Sequence, residues 1–221
     1  LINEIRDIPA PQGLLIGGVA ADYTDTQNGI AHALPWALGW VLISVLVLLF
    51  AFTGSVILPI KAVVLNILSL SATLGVITWI FIEGNLAKLL GDFTITGTVD
   101  TGMIILMLLT TFGLSMDYEV FLLSRIREEY ERRRNNTDSV AYGLQKSARI
   151  VTAAALILSV VFAAFVISGV TSIKILGLGV AFAILLDATI VRALLVPALM
   201  RLFGDANWWA PKALKRFSIS H

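Results

Sequence analysis

Five stretches of about twenty mostly apolar residues dominate this sequence, at residues 36–54, 59–82, 101–123, 150–170 and 174–202. A helix needs about 20 such residues to cross the hydrocarbon core of a bilayer. Charged residues make up only 14% of the chain, whereas about 25% is usual in a soluble domain. The sequence therefore predicts an all-α membrane protein built around a five-helix transmembrane bundle. The same composition excludes a soluble enzyme, a disordered chain and a nucleic-acid-binding domain.

Lysine and arginine are concentrated in alternate connections between these stretches. Segment 124–149 holds seven of them, whereas 83–100 holds one and 170–173 holds none. Short loops rich in Lys and Arg stay in the cytoplasm. We therefore expect a multi-pass protein of the plasma (cell) membrane, with its N-terminal end outside and its C-terminus in the cytoplasm.

The remaining segments differ from the bundle in composition. Glycines and a short apolar run in residues 12–18 predict a strand. Because the chain opens on Leu1 and not on Met, we expect a piece of a longer protein. The predicted organisation is the end of an extracytoplasmic α/β domain (1–34), the transmembrane bundle (35–203) with a helical cytoplasmic loop (124–149), and a cytoplasmic tail (204–221); the family resemblance given below implies that the first is porter-type and the last amphipathic. The last span is expected to bend near Pro197.

An ionisable residue in the middle of a span is a functional hypothesis by default, because burying it in lipid is costly. Asp117 lies in the third span, on the same helical face as Thr110 and Gly113. Tyr118 points about 100° away around the helix, toward a neighbour. We expect Asp117 to load and release a proton with Tyr118 beside it. A buried Asp that only accepts structural hydrogen bonds is the alternative.

Other polar residues in the spans carry less weight by themselves. Asn66, Ser69, Ser115 and Thr152 could be polar neighbours of Asp117, although hydrogen bonds between helices explain them equally well.

Three further charged residues are expected to be structural, with a secondary relay as the alternative. Asp187 and Arg192 stand five residues apart in the last span and are close enough to pair. Glu119 is expected to pair with Arg125, with Arg127 or with the fourth helix.

Nothing in the sequence forms a catalytic set. The two histidines lie outside the spans, there is no Cys, and no phosphate-binding loop is present. We expect no metal and no cofactor.

The residues around Asp117 also resemble those of a known family. Phe112 to Leu122, Asp187 to Arg192 and the sequence Asn207-Trp208-Trp209 are similar to motifs of the MMPL (mycobacterial membrane protein large) transporters of the resistance–nodulation–division superfamily. The resemblance implies helices 8–12 of a twelve-helix secondary transporter, not an enzyme. Asp117 and Tyr118 then match one of two Asp-Tyr pairs that relay protons and drive the export of lipids or other hydrophobic molecules.

The same resemblance implies the partners. They are the N-terminal half of the transporter, membrane lipids and a lipid or hydrophobic cargo, with a homo-oligomer left open and no nucleic acid.

Two other interpretations deserve comparison. Gly113 and Asp117 also fit a pattern of Patched and sterol-sensing proteins, whose five-helix module binds lipid and regulates. An intramembrane aspartyl protease would use Asp117 and Asp187, but Val180 stands where that family's second motif has Asp.

Overall fold

The computed structural model describes residues 6, 17–87, 90 and 99–211, and every element in this part of the chain is helical. Five helices are long and apolar enough to span a membrane, which confirms the five predicted spans. The strand predicted at residues 12–18 lies almost wholly outside the described residues. The helices are α1 (Val19–Thr53), α2 (Ile57–Phe81), α3 (Thr101–Arg133), α4 (Asn136–Ala163), α5 (Thr171–Leu186) and α6 (Val196–Phe203).

Three short segments complete the fold. A 3₁₀ turn (Ala164–Ile167) follows α4, and another (Gly204–Trp208) follows α6. Between α5 and α6 the chain continues without a break as a π-helix (Asp187–Leu195), which we call the π segment. The irregularity in the last span thus precedes Pro197, whose missing N–H cannot join an α-helical ladder.

Three helical boundaries extend beyond the apolar stretches. α1 begins at Val19 and runs through Pro35, well before residue 36. Residues 124–149 belong to α3 and α4, which meet at Arg134 and Asn135. Arg134 adopts a left-handed φ of 54°, and the Asn135 side chain caps α4 by accepting a hydrogen bond from the Asp138 N–H. Hydropathy marks only the part of a helix that lipid covers, so it misses polar ends held by Arg–Glu pairs.

The chain divides into two compact units, residues 1–44 and residues 45–221. In the first unit, α1 exposes Trp36 and Trp40, whose side chains are 78% and 70% accessible. The second unit holds the helical bundle and every site described below.

The bundle has a defined register because α2, α3 and α5 meet closely at Gly179. A Cβ added there would lie 2.1 Å from Met107 Sδ and 3.4 Å from Ile77 Cγ1. The two apolar clusters show that α3 and α5 run parallel and α2 runs opposite to both. Ser115 and Asp187 lie eight residues after Met107 and Gly179, about 12 Å away at 1.5 Å per residue. Ser69 lies eight residues before Ile77 on the antiparallel α2, so these three residues are at one level of the bundle.

A second close approach joins α3 to α4. A Cβ added to Gly143 would lie 2.8 Å from the Cα of Ile126. Backbone atoms cannot rotate away as a flexible side chain can, so this contact depends on glycine.

We therefore expect Gly143→Ala to force α3 and α4 apart and to lower the free energy of unfolding by about 1–3 kcal/mol. Thermal unfolding of the purified protein in detergent measures this. Gly75→Ala is the matched control, because no atom lies within 4 Å of its added Cβ and α2 tolerates alanine. Equal melting temperatures for the two variants would contradict the packing described here.

Candidate functional site: a buried charge cluster

The π segment brings together two residues that an α-helix would separate. Residues five apart lie about 140° apart around an α-helix, whereas a π-helix bonds residue i to residue i+5. The Val196 N–H donates to the Val191 carbonyl in this manner. Asp187 and Arg192 therefore share one face of the π segment, and that face points into the bundle.

The two side chains form a buried ion pair. Arg192 Nη2 lies 2.5 Å from Asp187 Oδ2, and the side chains are 3% and 8% exposed. Ser115 on α3 completes the contact: its hydroxyl donates to Asp187 Oδ2 over 3.0 Å, and its carbonyl accepts from Arg192 Nη2 over 2.6 Å. The ion pair thus also binds α3 to the last span.

Glu119 and Tyr118 approach the same guanidinium. Glu119 Oε2 lies 4.0 Å from Arg192 Nε, and Arg192 Cζ lies 5.0 Å from the centre of the Tyr118 ring. The prediction that Glu119 pairs with Arg125 or Arg127 is wrong, because those arginines pair with glutamates on their own helix, Glu128 and Glu131, in the more exposed part of α3. We call Ser115, Tyr118, Glu119, Asp187 and Arg192 the buried charge cluster.

The cluster contains two carboxylates and one guanidinium. Two carboxylates close together cannot both ionise freely, and one arginine offsets only one of them. The set can therefore hold one proton without becoming positively charged. Among the described residues there is no group of three His, Asp or Glu side chains that could hold a metal.

Asp117 lies outside this cluster. Its side chain is exposed on the described bundle, although Tyr118, the next residue, is half-buried and lies against Arg192. In the predicted relay pair, Asp117 therefore points away from the bundle, whereas Tyr118 points into its interior. Thr152 is also exposed, and it lines a cavity beside Arg192.

Asn66 and Ser69 are buried on α2 at the level of the cluster, at 3% and 4% exposure. Within the described part of the chain, neither side chain has a hydrogen-bonding partner, and neither does the Thr111 hydroxyl. Buried polar groups are nearly always satisfied by protein or by water. These three side chains can therefore still bond a water molecule or a polar group from another part of the protein.

A second polar centre, at Asn207, was missed as a site by sequence reasoning. The Asn207 side chain donates to the Met200 carbonyl over 2.6 Å, its Oδ1 accepts from Lys61, and its backbone carbonyl accepts from the Ser55 hydroxyl. The neighbouring Trp208 donates to Asn136 over 3.0 Å. The described part of the predicted tail thus packs on the bundle, and only the sequence Asn-Trp-Trp after the last span signals it.

A helical bundle of membrane-spanning length with charges paired in its interior defines a class of protein. Charged side chains within spans line the pathways of ions, protons and substrates. The fold and the cluster are therefore those of a polytopic membrane protein with a charged site in its interior.

The family follows from comparison with known proteins. Residues 2–218 match the model of the MMPL family, and the chain belongs to that family. It is 45% identical over 216 residues to a putative membrane protein, SCO6666, of Streptomyces coelicolor, covering 98% of this chain and 30% of that protein.

Two relatives are named as exporters. The chain is 43% identical over 217 residues to the trehalose monomycolate exporter MmpL3 of Mycobacterium tuberculosis, covering 97% of this chain and 23% of that protein. It is 40% identical over 201 residues to the mycolic acid-containing lipids exporter MmpL11 of Mycolicibacterium smegmatis, covering 91% and 21%.

These matches confirm the resemblance seen in the sequence. Two of these relatives are named as exporters, which fits the prediction of a transporter and not an enzyme, and membership of the MMPL family favours the transporter over the sterol-sensing interpretation. The chain spans between about a fifth and a third of the length of these relatives.

The ion pair makes a prediction about stability. Arg192→Gln leaves two buried carboxylates without their cation, so we expect it to lower the free energy of unfolding by about 3–5 kcal/mol. Adding Asp187→Asn should restore most of that loss, because it removes one of those carboxylates. Thermal unfolding of the detergent-solubilised protein measures both.

Arg201→Gln is the matched control, since Arg201 lies exposed on α6. If the double variant were as unstable as Arg192→Gln alone, the pairing of these two charges would not be what stabilises the bundle.

Proposed function

We propose that this chain is the C-terminal part of an exporter that moves lipids or other hydrophobic molecules and is driven by the proton-motive force. Membership of the MMPL family and the names of two relatives, exporters of trehalose monomycolate and of mycolic acid-containing lipids, support the cargo class. The chain covers less than a quarter of the length of these two relatives, which supports its being one part of a longer protein.

The observation that carries the proton coupling is the position of Asp117 and Tyr118. Asp117 is exposed on the described bundle, where another part of the transporter could cover it. Tyr118 lies against Arg192 and lines a cavity of about 10 Å³ together with Thr111, Ser115 and Asp187. This space fits about one water molecule. The two residues thus link a carboxylate on the exposed surface of the described bundle to the buried charge cluster.

Each residue has a defined part in this proposal. Asp117 takes up and releases the proton, and the Tyr118 hydroxyl both donates and accepts hydrogen bonds, so it orients the carboxylate or a bridging water. Asp187, Arg192 and Glu119 hold α3 against the last span and serve as a secondary relay. Asn66, Ser69, Ser115 and Thr152 supply the polar surroundings.

The orientation in the membrane is part of the proposal. The end of the bundle that holds the α3–α4 turn carries most of the arginines and faces the cytoplasm. The opposite end, with the turn between α4 and α5, faces outward. The N-terminal half of the transporter and the surrounding lipids are the partners of this chain.

Asp117→Asn in the full-length transporter should abolish proton-coupled lipid export, because the amide cannot exchange a proton. Export and proton uptake are measured together in proteoliposomes with an imposed pH gradient. Asp138→Asn, an exposed aspartate at the start of α4, should behave as wild type. Wild-type coupling by Asp117→Asn at equal abundance would disprove the relay.

The orientation can be tested with cysteines, since the chain has none of its own. Thr137→Cys and Gly169→Cys both lie at exposed positions, the first at the start of α4 and the second in the connection between the 3₁₀ turn and α5. In right-side-out vesicles, a membrane-impermeant maleimide should label Gly169→Cys at once and Thr137→Cys only after permeabilisation. The reverse order would invert the topology.

A further inference from the structure

A second cavity, of about 110 Å³, lies between α3, α4 and the π segment. Ala148 and Thr152 line it from α4, and Ala188 and Arg192 line it from the π segment. Ala188 and Arg192 also line the smaller cavity beside Tyr118 and Asp187. These two residues are therefore the wall that separates the two cavities.

Within the described residues, the wall residue Arg192 carries an unsatisfied hydrogen-bond donor. Arg192 is 2% exposed, and its Nε has no hydrogen-bonding partner among the described residues; the nearest carboxylate oxygen, on Glu119, is 4.0 Å away. Leaving a buried donor unpaired is costly, and more so when the group is charged. A ligand that accepts a hydrogen bond from the part of the Arg192 side chain that lines the cavity would offset some of that cost.

The charges of the cluster select the kind of ligand. An anion would meet the carboxylates of both Asp187 and Glu119, with one guanidinium to balance them. Water accepts from Arg192 without adding charge, and a water site needs polar partners and room for the molecule. Arg192 and the Thr152 hydroxyl supply the partners, and the cavity has room for several molecules.

We propose that this cavity is a water chamber that hydrates Arg192 and gives the buried charge cluster a route for exchanging protons, with Ala188 as the thin wall between chamber and cluster. The proposal rests on the proton-driven function above and deepens it. Ala188 and Arg192, four residues apart in the π segment, lie on the face that both cavities share.

Silver ions test whether water fills the chamber, because Ag⁺ is small enough for a narrow aqueous space and reacts with thiolates. Ala148→Cys places a thiol in the chamber wall. Ala153→Cys, on the same helix, places one on the exposed apolar face with Ile150 and Ile157. Both are made in the full-length protein with any cysteines outside this chain replaced, and reaction is read as protection from alkylation after unfolding.

We expect Ala148→Cys to react with Ag⁺ about tenfold faster or more, since a thiol in apolar surroundings stays protonated and unreactive. Equal, slow reaction at both positions would show a dry cavity and overturn the proposal. This readout does not use transport, so it stands apart from the result for Asp117→Asn.

A filling variant tests whether the water takes part in coupling. Ala148→Leu occupies the chamber, so we expect it to reduce proton-coupled export at least tenfold, whereas Ala153→Leu leaves it unchanged. The fold and abundance of each variant are checked by thermal unfolding. A wild-type rate for a stably folded Ala148→Leu would overturn the proposed route even if Asp117→Asn is inactive.

Discussion

An arginine buried at membrane depth has to be paired, because an isolated charge there is very costly. In this protein the partner of Arg192 is Asp187, and Ser115 on α3 contacts both through its hydroxyl and its carbonyl. Breaking a buried pair by removing one partner costs several kcal/mol. The packing of α3 against the last span therefore depends on this contact, and the register of α2 follows through Gly179.

The ion pair and the helical winding depend on each other. An i, i+5 pair is out of reach on an α-helix and within reach on a π-helix, so the π segment exists where the two charges meet. The π segment also lines the larger cavity, through Ala188 and Arg192. One local departure from α-geometry thus allows the contact that joins the last span to α3.

The sequence predicts the spans and identifies the residues of the cluster, but it does not predict how those residues are arranged. The number of helices follows from the number of long apolar stretches. Charges within spans are rare, so Asp117, Asp187 and Arg192 stand out as candidate functional or structural residues. The π segment leaves no simple pattern in composition, so the closeness of Asp187 to Arg192 was only one option. Local spacing and position predict that Glu119 pairs with Arg125, with Arg127 or with the fourth helix, whereas tertiary packing places it beside Arg192. No sequence pattern predicts a role for Asn136, because its partner, Trp208, is distant in the sequence.

The central claim is that Asp187 and Arg192 are in direct contact across the wide turn of the last span. Solid-state NMR of the membrane-embedded protein measures this through the dipolar coupling between ¹³C at Asp187 Cγ and ¹⁵N at the Arg192 guanidinium. A directly hydrogen-bonded pair places these nuclei within about 4 Å of each other. A coupling of that strength is the expected result, and its absence in a folded, fully labelled protein would contradict this account.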